Sequence, residues 1–219
     1  MHTPLDNGGL RLYPGFLDRA RQEALLAAVD AVLAAAPLYS PRMPKSGRPF
    51  TVRMSNCGPL GWVSDERGYR YQETHPESGR PWPPIPALLL AIWDELARYP
   101  QSPEACLINF YGPEAKMGLH QDRDEDDFAA PVVSLSLGDS CRFRLGGLRR
   151  TAPSRAFNLG SGDALVLGGG ARLALHGVDR IFPGTSTLLA GGGRINLTLR
   201  RVRAAPSRDG AASIAAKAN

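Results

Sequence analysis

The sequence predicts a chain of the α+β class that is mainly β: a jelly roll preceded by helices. Three observations lead there. Helical periodicity is confined to the first half of the chain. From Ala105 onward, short β-patterned segments follow one another between glycine turns. The length of 219 residues suits one ample core, since a single core serves up to about 250 residues.

Taken in order, Asp18 is placed to cap a helix running to about Ala36, with Leu25, Leu26, Val29, Val32 and Leu33 on one face and Pro37 ending it. A stretch of different texture follows from about 41 to 84, rich in Pro, Gly and Arg with aromatics interspersed. Pro86 opens a second amphipathic helix that reaches Arg98 through Leu89, Ile92, Trp93 and Leu96. Strands are then expected at Cys106 to Tyr111, Val132 to Leu137, Cys141 to Leu145 and Arg155 to Leu159. Ala164 to Leu167, Arg172 to His176 and Arg194 to Arg201 complete the series, with glycine-rich turns at 146–147, 160–162 and 168–170. Evenly spaced short strands of this kind make a jelly roll the natural architecture. Gly191 to Gly193 precedes no helix, so it is a turn and not a phosphate loop. Residues 1–202 read as one domain, with its β core at about 105–202, and 203–219 as a disordered tail lacking apolar periodicity.

Composition narrows the function classes. Hydrophobic residues at 43% and charged residues at 21% are ordinary for a globular protein. The three cysteines, Cys57, Cys106 and Cys141, are odd in number and widely spaced, which excludes a zinc knuckle or disulfide framework and favours a reducing cytoplasm. No apolar run is long enough to span a membrane, and no signal-peptide pattern opens the sequence. Nothing suggests a dimer seam, so a monomer is expected. The net charge of +5 suits a polyanionic partner without demanding one.

The chemistry is carried by three elements. His120 and Asp122 stand two apart, and residues i and i+2 of an extended segment face the same way, so both can reach one metal. His176, at the expected end of a strand, supplies a second imidazole. Two histidines and one carboxylate on one side of a metal leave its other positions open, the arrangement of non-haem iron(II) sites that bind a co-substrate and O2. An H-x-D pair alone arises often by chance, and the acidic run 122–127 could be a solvated loop. His2 and His75 have no ligand partners nearby in sequence and read as surface residues. The third element is Arg194 to Arg200, where Ile195, Leu197 and Leu199 alternate with Arg194, Asn196, Thr198 and Arg200. An ordinary surface strand would turn that polar face to water. Two arginines on it, their backbones roughly 20 Å apart, can instead lean inward to clamp a five-carbon diacid, each fork matching one carboxylate. Asn109 and Tyr111, again at i and i+2, add donors.

These residues resemble the AlkB family of nucleic-acid dealkylating dioxygenases. The resemblance rests on 56–62 (N-C-G-P-L-G-W), 105–111, 119–124, 133–138, His176-Gly177 and 194–200 (R-I-N-L-T-L-R), in the family's order and covering about residues 10 to 202. H-x-D with a distant His is shared by the whole superfamily. R-x-N-x-T-x-R and N-C-G-x-L-G-W are more specific, the latter to the bacterial repair branch. The resemblance implies a double-stranded β-helix core under a nucleotide-recognition lid at about 41–84. It implies Fe(II) at His120, Asp122 and His176, with 2-oxoglutarate and O2 as co-substrates. Arg194, aided by Tyr111, would bind the far carboxylate, and Arg200 and Asn109 would steady the end that chelates iron, beside Asn196. Trp62, Tyr69 and His120 would hold a flipped base, Asp124 would attract it, and Arg150 would approach the strand. The implied activity is oxidative demethylation of 1-methyladenine and 3-methylcytosine in single- or double-stranded DNA, with RNA as a further substrate.

The lid composition makes physical sense of this: Phe50, Trp62, Tyr69, Tyr71 and Trp82 are interleaved with Arg42, Lys45, Arg48, Arg53, Arg67, Arg70 and Arg80. Rings stack on unstacked bases and cations follow phosphates; the plainer reading is a loop pinned to the core by its aromatics. The chain departs from the family at Leu167 and Leu175, where bulkier aromatics stand near the iron, and 42–50 matches poorly. Two rivals remain: a 2-oxoglutarate-dependent hydroxylase of a protein or small molecule, and a non-catalytic β-barrel that binds nucleic acid.

Overall fold

The computed structural model describes residues 5–204, so the tail beyond Ala204, like His2, lies outside the described residues. Two N-terminal strands, β1 (Leu5–Asn7) and β2 (Leu10–Tyr13), precede helix α1 (Arg19–Ala35). Asp18 caps α1 as its type predicts, its carboxylate accepting the Arg21 backbone N–H. β3 (Arg53–Cys57), β4 (Gly61–Asp65) and β5 (Gly68–Gln72) follow, then α2 (Ala87–Ala97), which stops at Arg98 in the left-handed conformation. The β-rich half comprises β6 (Ala105–Tyr111), β7 (Met117–His120), β8 (Val132–Gly138), β9 (Ser140–Leu145), β10 (Arg155–Leu159), β11 (Ala164–Leu167), β12 (His176–Phe182) and β13 (Arg194–Arg200).

Seven strands form a major sheet in the order β1-β2-β11-β8-β13-β6-β3, and four form a minor sheet, β10-β9-β12-β7. The pairings within both sheets are antiparallel. β4 and β5 make a separate two-stranded ribbon. Two apolar clusters hold these layers together. One face of the major sheet, including Val133, Leu135, Ile195, Leu197 and Leu199, packs with Leu25 and Val29 of α1 and Leu89, Ile92 and Trp93 of α2. Side chains from the opposite face, such as Leu107 and Leu165, meet Cys141, Phe143, Val178 and Ile181 of the minor sheet. Two sheets facing each other across an apolar layer are the jelly roll that the strand spacing predicts. The polar face of β13 therefore turns into the space between the sheets, not to water: Arg194 is 1% exposed and Arg200 6%.

Two expectations are corrected and one alternative is set aside. The strand placed at Arg172 to His176 is instead a 3-10 turn (Gly169–Ala171) and a loop, and His176 begins β12 instead of ending a strand. Val178 and Ile181, both buried on either side of a register shift, hold the later strand to the core, while Arg172 is drawn into buried polar contacts. His75 is no surface residue but 2% exposed, its ring held between Tyr39 and Trp82, and its Nδ1 accepts the backbone N–H groups of Glu77 and Ser78. The acidic run is not simply a solvated loop, since Asp122, Glu125 and Asp127 are buried. In addition, 41–84 contributes β3 to the edge of the major sheet, and the aromatic ribbon β4-β5 is its more independent part.

Candidate metal centre and co-substrate pocket

His120 ends β7 and His176 begins β12, and antiparallel register sets the two directly opposite each other. Asp122 follows in the extended chain just after β7. His120 Nε2 lies 3.6 Å from Asp122 Oδ1 and His176 Nε2 3.7 Å from Asp122 Oδ2. One donor atom from each falls within 4.8 Å of the others. The far nitrogen of each ring is committed: His120 Nδ1 meets Gly118 O and His176 Nδ1 meets Ala174 O, both at 2.9 Å. A ring that donates from Nδ1 presents its Nε2 lone pair as a ligand, so the backbone fixes the tautomer a metal needs. Between the ligands, Gln121 points away and braces the site, its Nε2 donating to Leu173 O at 2.6 Å and Leu148 O at 3.2 Å.

Protonation states follow from burial and neighbours. Burial pushes His176 down to about 4 against the pull of Asp122, so the imidazole is neutral near pH 7. Burial opposes the charge on Asp122, but Arg200, His176, His120 and Arg172 outweigh it and hold the carboxyl well below the usual range. Arg200 Nη2 contacts Asp122 Oδ1 at 2.9 Å. Arg172, 3% exposed, donates from Nη1 to Asp122 O at 2.8 Å, from Nε to Ala130 O at 2.8 Å and from Nη2 to Glu125 Oε2 at 3.1 Å. Tyr71 of the ribbon completes the network, its hydroxyl donating to Glu125 and accepting from Arg200 Nη1 at 3.1 Å.

Along β13, Arg194 Nη2 donates to Ser136 Oγ at 2.7 Å, and Asn196 Nδ2 donates to Ser134 Oγ at 2.7 Å. Asn109 Nδ2 reaches Asn196 Oδ1 at 3.4 Å. Tyr111 pairs in register with Arg194, and burial raises its phenol pKa, so it stays a neutral donor. Among the described residues, five buried side-chain atoms have no hydrogen-bond partner; besides Gln101 Oε1, which lies outside the cavity, these are Asp122 Oδ2, Arg194 Nε, Arg200 Nε and Asn109 Oδ1. All four residues line one cavity of about 490 Å³, which also contains both histidine ligands. Buried polar atoms left unpaired call for an explanation. An unsatisfied carboxylate oxygen beside two imidazole nitrogens fits a cation, and unsatisfied guanidinium N–H groups fit an anion. The donor set therefore fits iron(II) and a diacid in the same cavity.

The cavity mouth is aromatic on one side. Trp62 Nε1 donates to Asp124 Oδ2 at 2.8 Å, and Tyr69, 52% exposed, stacks on Trp62 with centroids 5.6 Å apart. The stretch 56–62 shows why this indole sits where it does. Asn56 accepts from Trp62 N and donates to Trp62 O, both at 3.0 Å. A Cβ on Gly58 would stand 2.4 Å from Glu104 O, and one on Gly61 would lie 2.4 Å from the Trp82 ring. Arg150, exposed, also lines the cavity. Thus the structure brings Trp62, Tyr69, Asp124, Arg150, His120, Asp122, His176, Asn109, Tyr111, Arg194, Asn196 and Arg200 around one cavity. Sequence reasoning missed Tyr71, Glu125, Arg172, Ser134 and Ser136 as supports. The serines had a signal: they repeat with period two in β8, and Ser134 and Ser136 pair in register with Thr198 and Asn196.

Comparison with known proteins gives the family. Residues 9–200 match the family model described as 2OG-Fe(II) oxygenase superfamily. An alpha-ketoglutarate-dependent dioxygenase AlkB homolog from Caulobacter vibrioides is 53% identical over 197 residues, covering 90% of this chain and 89% of the relative. Alpha-ketoglutarate-dependent dioxygenase AlkB of Escherichia coli is 40% identical over 145 residues, 64% of this chain and 67% of that one. Among solved structures, OsALKBH1 superposes with a TM-score of 0.79 at 30% identity, covering 90% of this chain and 98% of its own.

Proposed function

The chain belongs to the 2OG-Fe(II) oxygenase superfamily as an AlkB-type dioxygenase, and from that premise we propose that it demethylates alkylated bases in nucleic acid, 1-methyladenine and 3-methylcytosine in DNA first among them. One observation carries the reading: the His120–Asp122–His176 cluster shares its cavity with an arginine-lined end and with the Trp62–Asp124 wall. The substrates in view are single- or double-stranded DNA, with RNA as a further polymer of the same chemistry, acted on by a monomer. The lid at about 41–84 over a core at about 105–202 is part of the same reading.

When bound, iron(II) and 2-oxoglutarate supply an oxidant made from O2, with succinate and CO2 as the by-products. The residues of the chain do the rest. His120, Asp122 and His176 would hold the metal, Asp122 being kept charged by Arg200. Arg194, anchored by Ser136 and facing Tyr111, takes the far carboxylate of the diacid. Arg200 and Asn109 lie toward the end that meets the metal, and Asn196 keeps Asn109 in place. Trp62 offers its indole to the flipped base, and Tyr69 extends the aromatic surface toward solvent. Asp124, held by the indole N–H, places a negative charge beside the ring. Methylation at adenine N1 or cytosine N3 makes the ring cationic, so that charge favours the lesion over the normal base. Extruding a damaged or single-stranded base costs less than extruding a paired one. Arg150 meets the phosphates at the mouth. The hydroxylated methyl group then leaves as formaldehyde.

The test is release of formaldehyde and repaired base from a short single-stranded DNA carrying one 1-methyladenine, with iron(II), 2-oxoglutarate, ascorbate and O2. The native protein turns over and His120→Ala does not. Succinate without base repair would instead indicate a protein or small-molecule substrate for the same oxygenase core.

A further inference from the structure

The outer face of the minor sheet carries charges that the cavity does not use. Alternation along β9 sends Cys141, Phe143 and Leu145 inward and Arg142 and Arg144 outward. On β12, Arg180 lies directly opposite Arg142 in register. Like charges in such a pair repel, and on a solvent face this costs stability. Arg142 is exposed and has no ion pair among the described residues. The Arg180 guanidinium lies 5.6 Å from the Phe182 ring centroid, which anchors it without neutralising it. Asp179 is the one acid on these strands, and it is engaged by Arg144 at 3.6 Å. A few residues beyond the end of β9 the chain carries exposed Arg149 and Arg150, and Arg150 lines the cavity. At ~3.3 Å per residue, Arg142 lies roughly 10 Å down β9 from its mouth end at Leu145.

We infer that this row of arginines is a track for the phosphodiester backbone of the lesion-bearing strand beyond the flipped nucleotide; the inference rests on the base-demethylation reading above. Continuity decides the occupant. A strand whose base sits in the cavity leaves past Arg150, and Arg149, Arg144, Arg142 and Arg180 extend the same row away from the mouth. A phosphate lying between Arg142 and Arg180 turns their repulsion into shared attraction, so binding recovers what the free sheet gives up. The contacts are purely electrostatic and therefore indifferent to base sequence.

The test compares single-stranded DNAs of about three and about fifteen nucleotides, with and without one 1-methyladenine, on the native protein and an Arg142→Gln/Arg180→Gln variant. Affinity is read by fluorescence anisotropy across a salt series. Formaldehyde release and thermal midpoint are read in parallel. The variant binds the long strand more weakly, and its slope of log affinity against log salt is shallower by about 1.4, two contacts at ~0.7 each. Binding and demethylation of the trinucleotide are unchanged, and the midpoint is equal to or above the native one. Unchanged affinity and slope on the long strand would overturn the track. So would an equal loss on the trinucleotide, or a loss seen only after a complementary strand is annealed, which would assign the surface to the opposite strand. A fall in the midpoint would overturn the argument from repulsion. Unmodified strands report on the track alone, so its failure is separable from failure of demethylation.

Discussion

At the scale of single residues, the site works by giving each polar atom one task. The histidine Nδ1 atoms are tied to backbone carbonyls, so the Nε2 atoms are left for metal. Asp124 is bonded by an indole N–H and is exposed, so its charge acts on whatever ring lies beside Trp62 without belonging to the metal centre. Asp124→Asn should therefore change selectivity more than chemistry. Succinate formation per enzyme falls by less than a factor of about 3, while the preference for a cationic methylated base over its neutral parent falls roughly 10-fold, about 1.4 kcal/mol of lost charge attraction. Competition between methylated and unmethylated oligonucleotides, with formaldehyde as the readout, measures it. An unchanged preference would remove Asp124 from base selection.

At the scale of elements, the ribbon of β4 and β5 is held at two ends by different means. Toward the core, Gly61 lets the chain pass beneath Trp82, whose own indole N–H is bound to Gln72 O at 2.9 Å. Gly61→Ala would push a methyl group against a buried ring that cannot swing aside. It should destabilise the protein by about 1–3 kcal/mol and displace Trp62, its chain neighbour; urea unfolding and the loss of oligonucleotide affinity check the two parts. Toward the metal, Tyr71 ties the ribbon to Glu125 and Arg200. Burial, partly offset by Arg200, raises the Tyr71 phenol well above its ordinary range, so it remains a donor. Tyr71→Phe leaves the Glu125 carboxylate one donor short inside the protein, at a cost of about 1.5–3 kcal/mol. Limited proteolysis should then cut the ribbon faster than the native one, with little change in the secondary structure seen by circular dichroism.

At the scale of the whole molecule, the buried charges around the cavity leave a small positive excess: Asp122 and Glu125 against Arg172, Arg194 and Arg200. A divalent cation alone enlarges that positive excess, a dianion bound beside it offsets the added charge, and a buried uncompensated charge is costly. Metal and 2-oxoglutarate should therefore stabilise the fold cooperatively. Without O2, Mn(II) and 2-oxoglutarate together should raise the thermal midpoint by more than the sum of their separate effects. The joint rise should be about 10–20 °C or more near 100-fold excess over both dissociation constants. Asp122→Ala should show no metal response. Additive shifts would mean that the two ligands bind without sensing each other.

The sequence by itself determined what depends on neighbours along the chain. Asp18 at the head of α1 and the strict alternation of β13 were legible because capping and period two are local rules. The spacing of His120 and Asp122 likewise put two candidate metal ligands on one side before any fold was known. Tertiary structure decided what depends on residues far apart. It set His176 opposite His120 at the start of a strand that the sequence placed too early. It buried His75 between rings. It also brought Tyr71 to Arg200 across 129 positions and Glu125 to Arg172 across 47. A charged residue in a loop looks solvated until a partner from another strand arrives, because burial of a charge is tolerable only once it is paired. No local pattern announces that pairing; only the packing of the two sheets supplies it.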